Sequence, residues 1–175
     1  MQAKFIALIA AVLAFALTAT TSAQDSCRIP SSLASALATK YPDARVMTLN
    51  DLPQQDREFF EKDHGPDCPG LIRVNFYGDG KATWALVLII REMQKQDAQL
   101  VIAHEIAGGF EFTPLDNANQ ESAVVWRLGP GTYADIETAK TIRAAHPVIV
   151  FAGYESWAIL YAWNGKRVEK IWLAD

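Results

Sequence analysis

Leu71-Ile72-Arg73-Val74-Asn75-Phe76, then Gly78-Asp79-Gly80, then Thr83-Trp84-Ala85-Leu86-Val87-Leu88-Ile89-Ile90 is the stretch where the chain changes its grammar. Ile72, Val74 and Phe76 alternate with Arg73 and Asn75, which is the period of a strand with one apolar face. Gly78 and Gly80 flank Asp79 as a turn, because glycine accepts the positive φ that tight turns need. Thr83 to Ile90 then reads as a buried strand. Downstream, Ala98–Ala103, Ala123–Arg127, Val148–Phe151, Trp157–Trp163 and Arg167–Leu173 are further strand candidates. Between them lie a Gly-rich polar region over Gly108–Gln120, a break at Gly129-Pro130-Gly131 and a short helix expected over Ala134–Ala145.

Upstream the pattern is helical. Ser31-Ser32 can cap a helix whose Leu33, Leu37 and Ala38 share a face, and Tyr41-Pro42 ends it. Arg45–Leu49 is a candidate short strand, and Asn50-Asp51-Leu52-Pro53 opens a second helix running to about Lys62. Asp63–Gly70, with two prolines and two glycines, is a loop. Helices first and strands after predict an α+β fold, with N-terminal helices packed on a largely antiparallel β-meander that ends in a C-terminal β-hairpin.

The first residues predict a cleavable secretory signal over 1–23, leaving 24–175 as a single globular domain. Lys4 is followed by an apolar run from Phe5 to Leu17, and Thr21 and Ala23 are the small residues a signal peptidase needs before Gln24. A helix over that run covers only about 20 Å of a roughly 30 Å hydrocarbon core. An uncleaved N-terminal anchor is the alternative; the Gln24-Asp25-Ser26 before Cys27 is unlike a lipobox. No second segment approaches spanning length, so no membrane span is expected after cleavage, and the expected location is periplasmic or secreted. The formal net charge is −4 and Lys and Arg form no run, so nucleic acid is not an expected partner.

The two cysteines, Cys27 and Cys68, both fall in the exported part, where pairing is the default. The sharper alternative is a nucleophilic Cys68 beside His64, which requires a reduced and activated thiolate.

The stretch from Asn75 to Thr83 places Asn75, Tyr77, Asp79 and Thr83 at the alternating positions of a calcium loop. Asn75, Asp79 and Thr83 are the weak metal candidates, since Asp79 alone is a carboxylate; a plain glycine turn explains the same residues. Cys68-Pro69-Gly70, Asn75-Phe76-Tyr77-Gly78-Asp79-Gly80 and Trp84-Ala85-Leu86-Val87-Leu88 together resemble a group of uncharacterised small exported bacterial proteins. These carry a Pro-Gly, an Asp-Phe-x-Gly-Asp-Gly turn and an Ala-Leu-Leu-Leu strand. Tyr154-Glu155-Ser156 and Tyr161-x-Trp163-Asn164-Gly165-Lys166 match the end of the same pattern, so the resemblance covers most of 30–175. It implies a bacterial source and carries no activity. The turn is also similar to the metal loop of FG-GAP and VCBS repeats, with the acidic ligands lost.

Asn164-Gly165 between two strand-like runs predicts a two-residue type I′ turn. That register sets Trp163 opposite Lys166, Tyr161 opposite Val168 and Trp157 opposite Trp172. Trp157, Tyr161, Trp163, Lys166, Lys170 and Trp172 then share a face, either a platform for a sugar, a peptide or an anionic surface, or the lining of a core.

His104-Glu105-Ile106-Ala107-Gly108 has Gly108 where a zinc protease has its second histidine, and no nucleophile elbow or phosphate loop is present. No catalytic residue and no cofactor is assigned. The expectation is a non-catalytic binding protein of the bacterial envelope, its partner another protein or a cell-wall ligand. The alternatives are a secreted hydrolase built on His64, His104 or His146 with carboxylates, and a calcium-stabilised module.

Overall fold

The computed structural model describes residues 26–174 apart from 93–94, 119–121 and 155. The signal expected over 1–23 lies outside these residues. In chain order the elements are α1 (Ser31–Lys40), β1 (Ala44–Val46), a 3-10 turn (Leu49–Asp51), α2 (Gln54–His64), β2 (Leu71–Val74), β3 (Thr83–Glu92), β4 (Lys95–Ile106) and β5 (Gly109–Ala118). There follow β6 (Ala123–Leu128), β7 (Gly131–Ala134), β8 (Thr141–Ala144), β9 (Val148–Gly153), β10 (Trp157–Trp163) and β11 (Val168–Ala174).

The α+β expectation is overturned. Among the described residues strand makes up 50% and helical structure 17%, so these residues form a mostly-β fold with two short α-helices outside its sheets. The first sheet has the order β1-β3-β4-β5, with β2 pairing the other half of β3; the second has the order β11-β10-β9-β6; β7 and β8 form a separate hairpin. Every pairing is antiparallel.

Period-two alternation explains the layering. Ala85, Val87, Ile89, Leu100 and Ile102 of the first sheet share one apolar cluster with Val125, Ile149, Phe151, Ile159 and Tyr161 of the second. The alternate residues Leu86, Leu88, Val101 and Ala103 face Leu33 and Leu37 of α1. On the far side of the second sheet, Val148, Val150, Leu160 and Ile171 lie beneath Ile142 and Ala144 of β8. Both sheets are therefore covered on both faces, which is why the central strands β3, β9 and β10 read as nearly continuous apolar runs despite being antiparallel. Cys27 is bonded to Cys68, tying the segment before α1 to the loop before β2 against the outer face of the first sheet.

Several local expectations are corrected. Gly108–Gln120 is not a loop: Gly109–Ala118 is an edge strand, paired with β4. Its Phe110 and Phe112 pack against the cluster beneath α1, while Pro114 sits beside a register shift, a position an edge strand tolerates. Ala134–Ala145 is not a helix. Asp135 turns the chain there by accepting hydrogen bonds from the N–H groups of Glu137 and Thr138, and Ile142 and Ala144 then alternate inward with Thr141 and Arg143 outward. Pro30 and Pro53, rather than the polar residues expected, precede the first turns of α1 and α2. The Asn164–Gly165 turn is longer than two residues: Asn164 Oδ1 accepts from the N–H groups of Lys166 and Arg167, and Trp163 pairs with Val168. The register thus slips by two, and Ile159, not Trp157, opposes Trp172. An even slip leaves each side chain on its expected face.

Candidate functional site

Where the end of β5 meets the hairpin β10–β11, a groove of about 420 Å³ opens between the two sheets. Strand alternation supplies its apolar walls. Trp172 lies across from Ile159, and Trp157, paired with Gly153 of β9, stands edge-on to Phe151 at 5.0 Å. Lys170 is the cross-strand partner of Tyr161, so both project from the same face toward the first sheet.

Both converge on Asp116. Its Oδ2 accepts from Lys170 Nζ at 2.6 Å and from the Tyr161 hydroxyl, while Oδ1 accepts from the Asn117 N–H at 2.9 Å. The Lys170 ammonium also lies 5.6 Å from the Trp172 ring centre and 6.0 Å from that of Tyr161. Burial by itself raises the Asp116 carboxyl, but the bonds from Lys170, Tyr161 and the Asn117 N–H outweigh it and hold the group below the usual carboxylate range. Burial first, then the bond to that carboxylate, pushes the Tyr161 hydroxyl up. At neutral pH the pair is a phenol donating to a carboxylate, and neither is poised to exchange a proton there. The cluster is suited to holding a polar ligand edge and fastening one sheet to the other.

Four of the six aromatic and lysine candidates thus come together: Trp157, Lys170 and Trp172 line the groove, and Tyr161, 2% exposed, lies beneath the Asp116–Lys170 pair. Trp163 packs instead against Tyr77 at 5.0 Å, and Lys166 projects from the exposed turn. Asp116, Asn117 and Phe151 were missed. The alternation of Phe110 and Phe112 with Glu111 is the signal that extends β5 far enough to reach Asp116.

His104 makes the arrangement most like a catalytic one. Its Nδ1 is 3.0 Å from Oγ1 of Thr83, its cross-strand partner, and its Nε2 is 3.1 Å from Asp79 Oδ2. Hydroxyl, imidazole and carboxylate in line have the parts of a hydrolytic triad. Thr83, however, is wholly buried, and the Tyr77 ring lies edge-on to His104 at 4.6 Å, so no substrate carbonyl reaches the hydroxyl. The chain of bonds fastens the glycine turn onto β3 and β4.

The same contacts hold the metal candidates. Asn75 Oδ1 accepts from the Gly80 N–H at 3.2 Å and Asp79 Oδ1 from the Lys81 N–H at 3.0 Å. Asp79 and Thr83 approach opposite edges of one imidazole rather than a common centre. The other histidines lie elsewhere. His64 is held between Phe60 and Trp126, with ring centres 4.8 and 5.0 Å away, and burial lowers its pKa against the opposing pull of Asp63 and Asp67. His146 fills the space over Gly78, where an added Cβ would come within 2.1 Å of its Nε2.

The fold and groove together define a two-sheet β protein with an aromatic cleft and a charged rim. No family model, curated protein or solved structure matches the chain.

Proposed function

We propose that this chain is a non-catalytic binding protein of the bacterial envelope, periplasmic or secreted, and that its groove receives a hexosamine unit of a cell-wall glycan. The carrying observation is the groove itself, in which Trp157 and Trp172 stand beside the Asp116–Lys170 pair and the Asn117 amide. A pyranose ring has an apolar C–H face, which rests on the negative face of an indole, and an equatorial rim of hydroxyls and amides, which seeks such donors and acceptors. The Cys27–Cys68 bond supports an oxidising compartment. Among the described residues no helix is long and apolar enough to cross a membrane. The motif resemblance to small exported bacterial proteins supports the same location.

The test is calorimetric titration of residues 24–175, expressed with the bond intact, with soluble N-acetylhexosamine oligosaccharides. Saturable binding is expected, with affinity falling by roughly tenfold or more in Trp172→Ala and in Trp157→Ala. Absence of heat with every oligosaccharide, or binding by both variants as tight as that of the parent chain, overturns the proposal.

A further inference from the structure

A second cleft, of about 440 Å³, lies toward the other end of β9, beside Pro147 and away from the Trp157 end. Its charged lining is all of one sign. Arg73 enters from β2, Lys81 from the loop before β3 and Arg127 from β6, and among the described residues no carboxylate lines it. This sets the cleft apart from the chain as a whole, in which acidic residues outnumber Lys and Arg by 20 to 16.

The guanidinium groups are positioned rather than loose. Arg127 Nη1 donates to the Arg73 carbonyl at 3.3 Å, and the Arg73 guanidinium lies 5.6 Å from the Trp84 ring centre. Neither contact neutralises charge. Three cations drawn around one concavity repel each other, a cost that an anion in their midst removes. The forked N–H donors of arginine match the paired oxygens of a phosphate or carboxylate. The lining also includes Asn75, whose Oδ1 accepts from the Gly80 N–H and whose amide nitrogen is a further donor.

We infer that this cleft is an oxyanion site, taking the phosphate or carboxylate group of a small anionic ligand. It is independent of the glycan groove, with no residue in common.

The test is an NMR titration of the bonded, full-length mature chain at low ionic strength, once with inorganic phosphate and once with succinate. Saturable shifts of the Arg73, Lys81 and Arg127 signals are expected, diminishing as sodium chloride is added. The tighter of the two anions names the ligand group. Arg127→Gln weakens binding by roughly tenfold or more, because it removes charge-assisted hydrogen bonds. Lys81→Gln, on an exposed loop where folding does not depend on it, weakens binding in the same direction. Trp172→Ala leaves it unchanged, which separates this site from the groove. Shifts that do not saturate with either anion, or that persist equally in Arg127→Gln and Lys81→Gln, overturn the inference.

Discussion

Asp116 is the residue on which most of the groove converges, and its chemistry predicts its behaviour. It accepts from a lysine, a tyrosine and a backbone N–H, and the tyrosine is buried. Asp116→Ala strips the Tyr161 hydroxyl of its acceptor, and a buried polar group left without a partner costs about 1–3 kcal/mol. The pH dependence has a definite sign. The carboxyl is depressed in the folded chain relative to an unfolded value of about 3.9. Its contribution is therefore fully present above about pH 4 and is lost as pH falls through the depressed folded value. Urea midpoints measured between neutral and acid pH are expected to fall less steeply in Asp116→Ala than in the parent chain; parallel curves contradict the assignment.

Elements were legible where both the period and the punctuation agreed. Val148–Phe151 and Trp157–Trp163 are unbroken apolar runs and Ala123–Arg127 is apolar up to Arg127, and each is a strand within a residue or two. The errors came where polar residues dominate an edge. In β5 Phe110 and Phe112 alternate on one face, but past the register shift beside Pro114 it is Leu115 and Ala118 that pack inward, and β8 has only Ile142 and Ala144, so the period was masked by the bulge, the glycines and the charged turn. With β7, which begins inside the Gly129-Pro130-Gly131 break, this removed three strands from the count and tipped the reading toward α+β. It also hides the partner of the aromatic hairpin, because Asp116 lies on β5, within the Gly108–Gln120 stretch whose polar residues predict a loop. The hairpin turn was placed at the right residues but with the wrong length, since Asn164 caps two further N–H groups instead of closing a two-residue loop. At this scale Gly70 is the sensitive joint. A Cβ there would lie 2.3 Å from the Met47 carbonyl oxygen, a backbone atom that cannot rotate away, and the Gly70 carbonyl accepts from Val87 of β3. Gly70→Ala is expected to cost about 1–3 kcal/mol by overpacking, read from denaturant midpoints. A neutral result would show that β2 and the Met47 segment are less closely apposed than described.

For the molecule as a whole, stability and binding both follow from layers that cover each other. The first sheet lies between α1 and the second sheet, and the second lies beneath the β7–β8 hairpin. The Cys27–Cys68 bond closes a 41-residue separation onto the outermost layer, α1, and constrains the unfolded chain by about 4 kcal/mol in the chain-entropy account. Reduction is expected to lower Tm by on the order of 10 °C; an unchanged Tm would mean that the bond adds nothing to the packing of α1. The groove opens where the covering stops, at the seam between the edge of one sheet and the hairpin of the other. Its role is tested most directly by the indole N–H signals of the five tryptophans during titration with an N-acetylhexosamine oligosaccharide. Trp157 and Trp172 are expected to shift together and saturate, while Trp84, beside Arg73, and Trp126, beside His64, stay in place. Five unmoved signals, or a shift at Trp84 and Trp126 instead, would contradict a saccharide in the groove.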